Sequence, residues 1–102
     1  MSAKVPVRKI ILATSRVFGV RTSAIYGPAK PMPVARARQA AYLIANEQGW
    51  GVTHIGRVLA RDHSTIAYGV ANAREIERRD QLYRERCASI RQHIEEMGAQ
   101  AV

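Results

Sequence analysis

Residues 52–70 read VTHIGRVLARDHSTIAYGV, and the spacing of their apolar residues decides the fold. The first eight residues place an apolar face on one side of a helix, at Val52, Ile55, Val58 and Leu59. A second helix is predicted from Asp62 onward, with its apolar face at Ile66, Val70, Ala73 and Ile76 or Glu77. Two helices of about 8 and 16 residues, joined by about three residues and with the small Gly56 in the first, match a helix-turn-helix. Other helical bundles share this spacing, so the prediction of a helix-turn-helix also depends on the polar residues at the turn.

Four short polar side chains open the second helix: Asp62, His63, Ser64 and Thr65. In a helix-turn-helix, the N-terminal residues of the second helix contact base edges in the major groove. Asp62 is also predicted to cap the helix by accepting a hydrogen bond from an N–H group two or three residues on. The two roles are compatible, because a carboxylate can also accept from a cytosine N4 or an adenine N6 amine. His63 lies opposite the apolar face that starts at Ile66, so we expect it to face solvent or a ligand.

Catalytic and metal-binding interpretations of the same residues fail on geometry. Consecutive side chains of a helix diverge by about 100°, so Asp62, His63 and Ser64 cannot form a hydrogen-bonded relay. No two of the three histidines and Cys87 are three or four residues apart, the spacing that a metal site on one helix needs. The sequence also lacks a P-loop and a GxGxxG motif. We therefore expect no enzymatic activity, and no cofactor, metal or small-molecule substrate.

The positive charge is concentrated in the first half of the chain. Residues 1–46 carry eight bases and no acid, whereas residues 47–102 carry eight of each, so the first half supplies the whole net charge of +8. Such a distribution, with a pI near 10.6, predicts a surface that meets a polyanion, and double-stranded DNA is the expected partner. A single cysteine, and no apolar window near the roughly 20 residues of a membrane span, predict a cytoplasmic, nucleoid-associated protein.

The rest of the chain is predicted to be helical as well. Helical periodicity runs through residues 5–18, 34–48 and 81–97, and Thr22 resembles the N-cap of a one-turn helix that ends at Ile25. Strand patterns are nearly absent. The expected fold is therefore an all-α compact helical domain, a single domain over residues 1–102 with an ordered core from about 5 to 97.

Residues 27–33, GPAKPMP, hold three prolines and are predicted to form a stiff, extended arm outside any helix. Lys30 is the one charge on this arm, and it fits either a minor-groove contact or a solvated loop charge. Phosphate contacts are predicted beside the turn and at the start of the 34–48 helix, where backbone N–H groups also favour phosphate. The predicted phosphate-contacting residues are Arg36, Arg38, Gln39, Arg57 and Arg61.

The last predicted helix carries an apolar stripe at Tyr83, Cys87, Ile90, Ile94 and Met97. This 4-3-4-3 spacing fits a short coiled-coil seam, but it spans barely two heptads, so we expect it to pack on the core.

Two segments of the sequence resemble a known family. VARARQAAYLIANE at 34–47 and HIGRVLARDHSTIAYGV at 54–70 resemble the C-terminal DNA-binding domain of the bacterial replication initiator DnaA. The shared pattern is an Ala-Arg-x-Arg-Gln helix, an Ile-Gly pair and an Arg-Asp-His run, and the resemblance extends from the first helix to about residue 97. It implies an all-helical fold with a Trp-repressor-like helix-turn-helix that binds an asymmetric nine-base-pair site as a monomer.

The resemblance also implies roles for individual residues. Asp62, His63 and Ser64 occupy the positions that read the major groove, and Ser64 lacks the methyl group of the family's Thr. Lys30 occupies the position of a minor-groove Arg. Thr53 replaces a Pro that approaches the bases.

The initiator's ATPase domain is absent from these 102 residues, which predicts a stand-alone DNA reader. We expect a transcription regulator. One form of such a regulator is an activator of phage-like genes, which would recruit RNA polymerase or a second regulatory protein. One alternative is a replication modulator that competes for the initiator's sites at an origin. Another is a small helical adaptor that holds a protein partner on the stripe of the last helix.

Overall fold

The computed structural model describes residues 4–100, and these form six helices and no strand. The helices are α1 (Val7–Phe18), α2 (Thr22–Tyr26), α3 (Met32–Glu47), α4 (Val52–Leu59), α5 (His63–Arg79) and α6 (Gln81–Gln100). The predicted all-α class is confirmed, and each predicted helix is found within a few residues of its expected bounds. No helix of this described part is both long and apolar enough to cross a membrane.

The central helix is α3, which packs against α1 and α5 and also contacts α2, α4 and α6. Every residue from Ala40 to Ala45 is buried, so α3 is enclosed on nearly all sides over that stretch. Four of these six residues are small or β-branched. Helix α5 approaches α3 closely because Gly69 of α5 lies against Tyr42 of α3. A Cβ atom on Gly69 would come within 2.5 Å of the Tyr42 ring.

The stripe on α6 packs into the core, as expected. Tyr83, Cys87, Ile90 and Ile94 are buried, and Met97 is half-buried against them. Burial raises the pKa of the Cys87 thiol to about 12, which keeps the thiol protonated. The stripe is therefore not a free seam for a partner helix.

A guanidinium on α6 joins three helices. Arg91 donates to both carboxylate oxygens of Glu47 at the end of α3, over 2.9 and 3.0 Å, and to both of Glu77 on α5, over 2.6 and 3.1 Å. These charge-assisted bonds raise the pKa of Arg91, and they hold α6 against the ends of its neighbours.

The start of α2 and the connection between α2 and α3 both differ from the prediction. Thr22 is the first residue of α2, and Arg21 precedes it without a side-chain cap. Met32 and Pro33 belong to the first turn of α3. Proline is tolerated there because the N–H groups of the first turn have no acceptor within the helix, so no hydrogen bond is lost. The extended segment is thus limited to residues 27–31, and it is called the arm below.

Candidate nucleic-acid interface

The turn between α4 and α5 depends on a close backbone approach at Gly56. The Arg61 N–H donates to the Gly56 carbonyl over 2.8 Å, and a Cβ atom on Gly56 would lie 2.4 Å from the Arg61 carbonyl oxygen. Ala60, which ends α4, adopts the left-handed conformation at φ 54° and ψ 47°. Ile55, Leu59 and Ile66 are buried on either side of the turn. The predicted helix-turn-helix is present, with its glycine placed where no side chain fits.

Asp62 caps α5, as predicted. Its backbone is extended, and its Oδ1 atom accepts a hydrogen bond from the Ser64 N–H over 3.1 Å. This backbone bond, together with the Ser64 hydroxyl, lowers the pKa of the Asp62 carboxyl below its ordinary value. The His63 Nδ1 atom lies 3.2 Å from the same Oδ1. The carboxylate is therefore fully ionised at neutral pH and held at the start of the helix.

The polar cluster at the start of α5 faces outward. The Asp62 and His63 side chains are 65% and 67% exposed, and Ser64 and Thr65 are exposed as well. Ile66 is fully buried, so the helix turns its apolar face inward directly after the cluster. The structure thus brings four predicted major-groove residues together on one exposed helix end.

A fifth predicted major-groove residue, Thr53, lies on α4. Thr53 is exposed, and so is Arg57 one turn later on the same face. Within residues 4–98, the side chain of Arg57 makes no hydrogen bond or ion pair, so its charge is available. Val58 was expected to face inward but is 36% exposed, whereas Ile55 and Leu59 of the same predicted face are buried.

Lys30 is exposed on the arm, and the backbone that leads to it is held by Arg38. The half-buried guanidinium of Arg38 reaches back from α3 and donates to four carbonyls over 2.8–3.0 Å. The acceptors are Ala24, Ile25, Gly27 and Ala29. Burial, followed by the nearby charge of Arg61, lowers the pKa of Arg38.

Arg61 reaches the same backbone from the helix-turn-helix. Its guanidinium donates to the carbonyls of Tyr26, over 3.3 Å, and Gly27, and also to Leu59 over 3.1 Å. The Gly27 carbonyl therefore accepts from Arg38 and Arg61 together.

The other two predicted phosphate contacts also have intramolecular partners. Arg36 donates to Asp80 over 3.3 Å, and its Nε atom is buried without a partner among the described residues. Asp80 follows α5, whose 17 residues span about 26 Å, so Arg36 lies at the end of α5 opposite Asp62. The Gln39 Oε1 atom accepts from the Asn72 amide over 2.7 Å. Phosphate contact by these residues stays a prediction.

The start of α3 does not offer the backbone donors that were expected there. Arg36 and Arg38 lie at least one turn inside a helix that begins at Met32, and Pro33 has no N–H. The N–H groups of Val34 and Ala35 donate to Pro31 over 3.0 Å. The N–H groups of residues 34 and 35 are therefore not free for a phosphate, and phosphate contact at this end of α3 stays a prediction.

One exposed aromatic residue was missed by the sequence analysis. Tyr68 lies one turn after Ser64 on α5 and is 69% exposed. Ala67 and Ala71 beside it are also exposed, and because their side chains are small, the phenol of Tyr68 projects beyond them. The signal was available, because Tyr68 falls outside the apolar face that starts at Ile66.

A comparison with known families identifies a match that covers the region described above. A family model described as "Bacterial dnaA protein helix-turn-helix" matches residues 7–72. The match runs from the start of α1 into α5, and it includes the arm, the turn and the exposed polar cluster.

Proposed function

This chain belongs to the bacterial DnaA helix-turn-helix family, whose domains bind double-stranded DNA, and on that basis we propose that it is a sequence-specific transcription regulator. The observation that carries the proposal is the polar cluster at the N-terminal end of α5, which is exposed and follows a turn of helix-turn-helix geometry. A regulator of this kind acts by occupying chosen sites, which requires a surface that distinguishes base pairs.

In the proposed complex, the start of α5 enters the major groove. Asp62 accepts from a base amine while it caps the helix, since an ionised carboxylate has about four acceptor sites and the cap does not exhaust them. His63 and Ser64 contact neighbouring base edges, and Thr53 approaches the same groove from α4. Exposure of all four side chains supports these roles.

Contacts outside the major groove fix the orientation of the domain. Lys30 enters the adjacent minor groove from the arm. Arg57, whose charge is unpaired in the described part of the chain, contacts a phosphate, and Tyr68 donates its hydroxyl to another. We propose RNA polymerase or a second regulatory protein as the further partner, and the nucleoid as the place of action.

Family membership also favours a second candidate function. A domain that shares the initiator's reading motif could occupy the initiator's own sites and thereby modulate replication. The adaptor alternative has lost its proposed surface, because the stripe on α6 is buried.

The test is selection of bound sites from a pool of random duplexes, followed by genome-wide occupancy. We expect one short asymmetric consensus and occupancy at promoters. Occupancy concentrated at origin clusters would favour the replication modulator. Failure to prefer any duplex sequence at low salt would refute the proposal.

A further inference from the structure

Two arginines bind the carbonyls that lead into the arm, and they come from different parts of the fold. Arg38 belongs to α3, whereas Arg61 belongs to the turn of the helix-turn-helix. Within the described residues, the hydrogen bonds between the turn and the segment 24–29 are those of Arg61 to Tyr26 and Gly27. Arg61 therefore supplies the hydrogen bonds that link the arm to the helix-turn-helix.

The arm has little else to fix its path. It contains no helix, and its carbonyls at Gly27 and Ala29 find their donors on Arg38 and Arg61. Among the described residues, neither guanidinium pairs with an acid. Their charges are balanced by backbone dipoles, which is a geometry-specific interaction that a point charge reproduces poorly.

Arg61 is itself held firmly. Its N–H donates to Gly56, its carbonyl lies where a Cβ atom on Gly56 would collide, and the next residue is the cap Asp62. Arg61, which anchors the arm, is thus directly followed by Asp62, the first residue of the polar cluster. The distance between Lys30 and that cluster follows from this arrangement.

On the basis of the proposed DNA-binding function, we infer that Arg61, assisted by Arg38, is a positioning residue that sets where Lys30 meets the minor groove relative to α5. The bonds of Arg61 to the carbonyls of Tyr26 and Gly27 hold the arm in place before DNA arrives, so Lys30 reads its base pairs without first ordering the arm. This role differs from the phosphate contact predicted for Arg61 from sequence, which would strengthen binding to every duplex alike.

The first experiment measures the arm without DNA. Backbone ¹⁵N relaxation at Ala29 and Lys30 is compared in the wild type, Arg61→Gln and the matched control Arg57→Gln, whose arginine makes no hydrogen bond to the described residues of the arm. We expect faster, larger motion of the arm in Arg61→Gln alone. Unchanged relaxation in Arg61→Gln would overturn the inference, whatever the outcome with DNA.

The second experiment measures affinity for the selected site and for duplexes that change one base pair at a time. We expect Arg61→Gln to reduce discrimination about tenfold at the base pairs that Lys30→Ala also affects, and to leave those affected by Ser64→Ala unchanged. In the double variant with Lys30→Ala, Arg61→Gln should have no additional effect at those base pairs. Arg57→Gln should weaken all duplexes equally.

An equal loss on all duplexes for Arg61→Gln, with a shallower salt dependence, would identify a phosphate contact and overturn the inference. If Arg61→Gln does not fold, Arg61→Lys serves instead, because it keeps the charge but replaces the planar fork, whose two terminal nitrogens bind Tyr26 and Gly27, with a single nitrogen. The same position-specific loss is expected for Arg61→Lys, and wild-type discrimination in that variant would contradict the inference. Absence of any preference in the wild type would instead refute the proposed function.

Discussion

Asp62 combines a structural and a proposed recognition role in one carboxylate. It caps α5 through the Ser64 N–H, and its side chain is nevertheless 65% exposed. The two roles can be separated by substitution, because Asn caps a helix about as well as Asp but presents an amide to a base. Asp62→Ala therefore removes both roles, whereas Asp62→Asn keeps the cap and changes only the group presented to a base.

We expect Asp62→Ala to lower the Tm by a few degrees, since the capping bond is lost, and to weaken specific binding about tenfold. Asp62→Asn should keep the Tm of the wild type and change the preferred base. Thermal denaturation and competition between specific and random duplexes measure the two effects. Equal losses on both duplexes would show that Asp62 contributes only to folding.

Ala60 is the second residue whose conformation matters, because its φ of 54° is costly for any residue with a Cβ atom. We expect Ala60→Gly to raise the free energy of unfolding by about 0.5–1 kcal/mol. The control is Ala71→Gly on the exposed face of α5, where glycine should instead cost about 0.5–1 kcal/mol. Urea denaturation compares the two, and destabilisation by Ala60→Gly would contradict the assigned conformation.

At the scale of elements, α5 and α6 begin in the same way. Asp62 accepts from the Ser64 N–H, and Asp80 accepts from the Tyr83 N–H over 3.0 Å. In each case the backbone bond is the main reason that the pKa of the carboxyl lies below the ordinary value of 3.8. Both helix starts are therefore sensitive to acid.

The direction of that sensitivity follows from the lowered pKa values. In the unfolded chain these carboxyls bind protons at a higher pH, so their contribution to stability is complete above the unfolded pKa and is lost as the pH falls through the folded pKa. We expect the Tm to decrease as the pH falls from about 5 to about 2, and the double variant Asp62→Asn with Asp80→Asn to show a shallower decrease. Calorimetry at a series of pH values measures this, and parallel curves would contradict it.

Prediction from sequence succeeded for elements and failed where distant residues meet. Apolar periodicity located the helices, and capping chemistry located Asp62, because both signals lie within a few neighbouring residues. The partners of Arg38 and Arg61 could not be predicted, since the acceptors are carbonyls up to 35 residues away and carry no side-chain signature. Pro33 was assigned to the arm because a proline-rich segment does not show by itself where a helix begins.

At the scale of the whole molecule, size is compatible with the binding as a monomer that the family resemblance implies. The longest dimension is 37 Å, and nine base pairs of duplex span about 31 Å. One copy could therefore reach across a complete site, with the arm and α5 in adjacent grooves.

Charge at this scale predicts strong salt dependence. If about six phosphates are neutralised, log K should fall with log salt concentration with a slope near −5. We expect Arg57→Gln to reduce that slope by about one, whereas Arg78→Gln, whose charge already pairs with Glu75 over 3.2 Å, should leave it unchanged. Fluorescence anisotropy across a salt series measures both, and equal slopes for all three proteins would exclude a phosphate contact at Arg57.

The burial of Cys87 has a practical consequence. It is the one cysteine of the chain, it is enclosed by the core, and its thiol has a pKa of about 12, so a thiol-specific reagent can react with it only when the fold opens. The rate of its modification would therefore time the opening of the domain under native conditions. A cysteine introduced at an exposed position could meanwhile carry a fluorescent label without competition from Cys87.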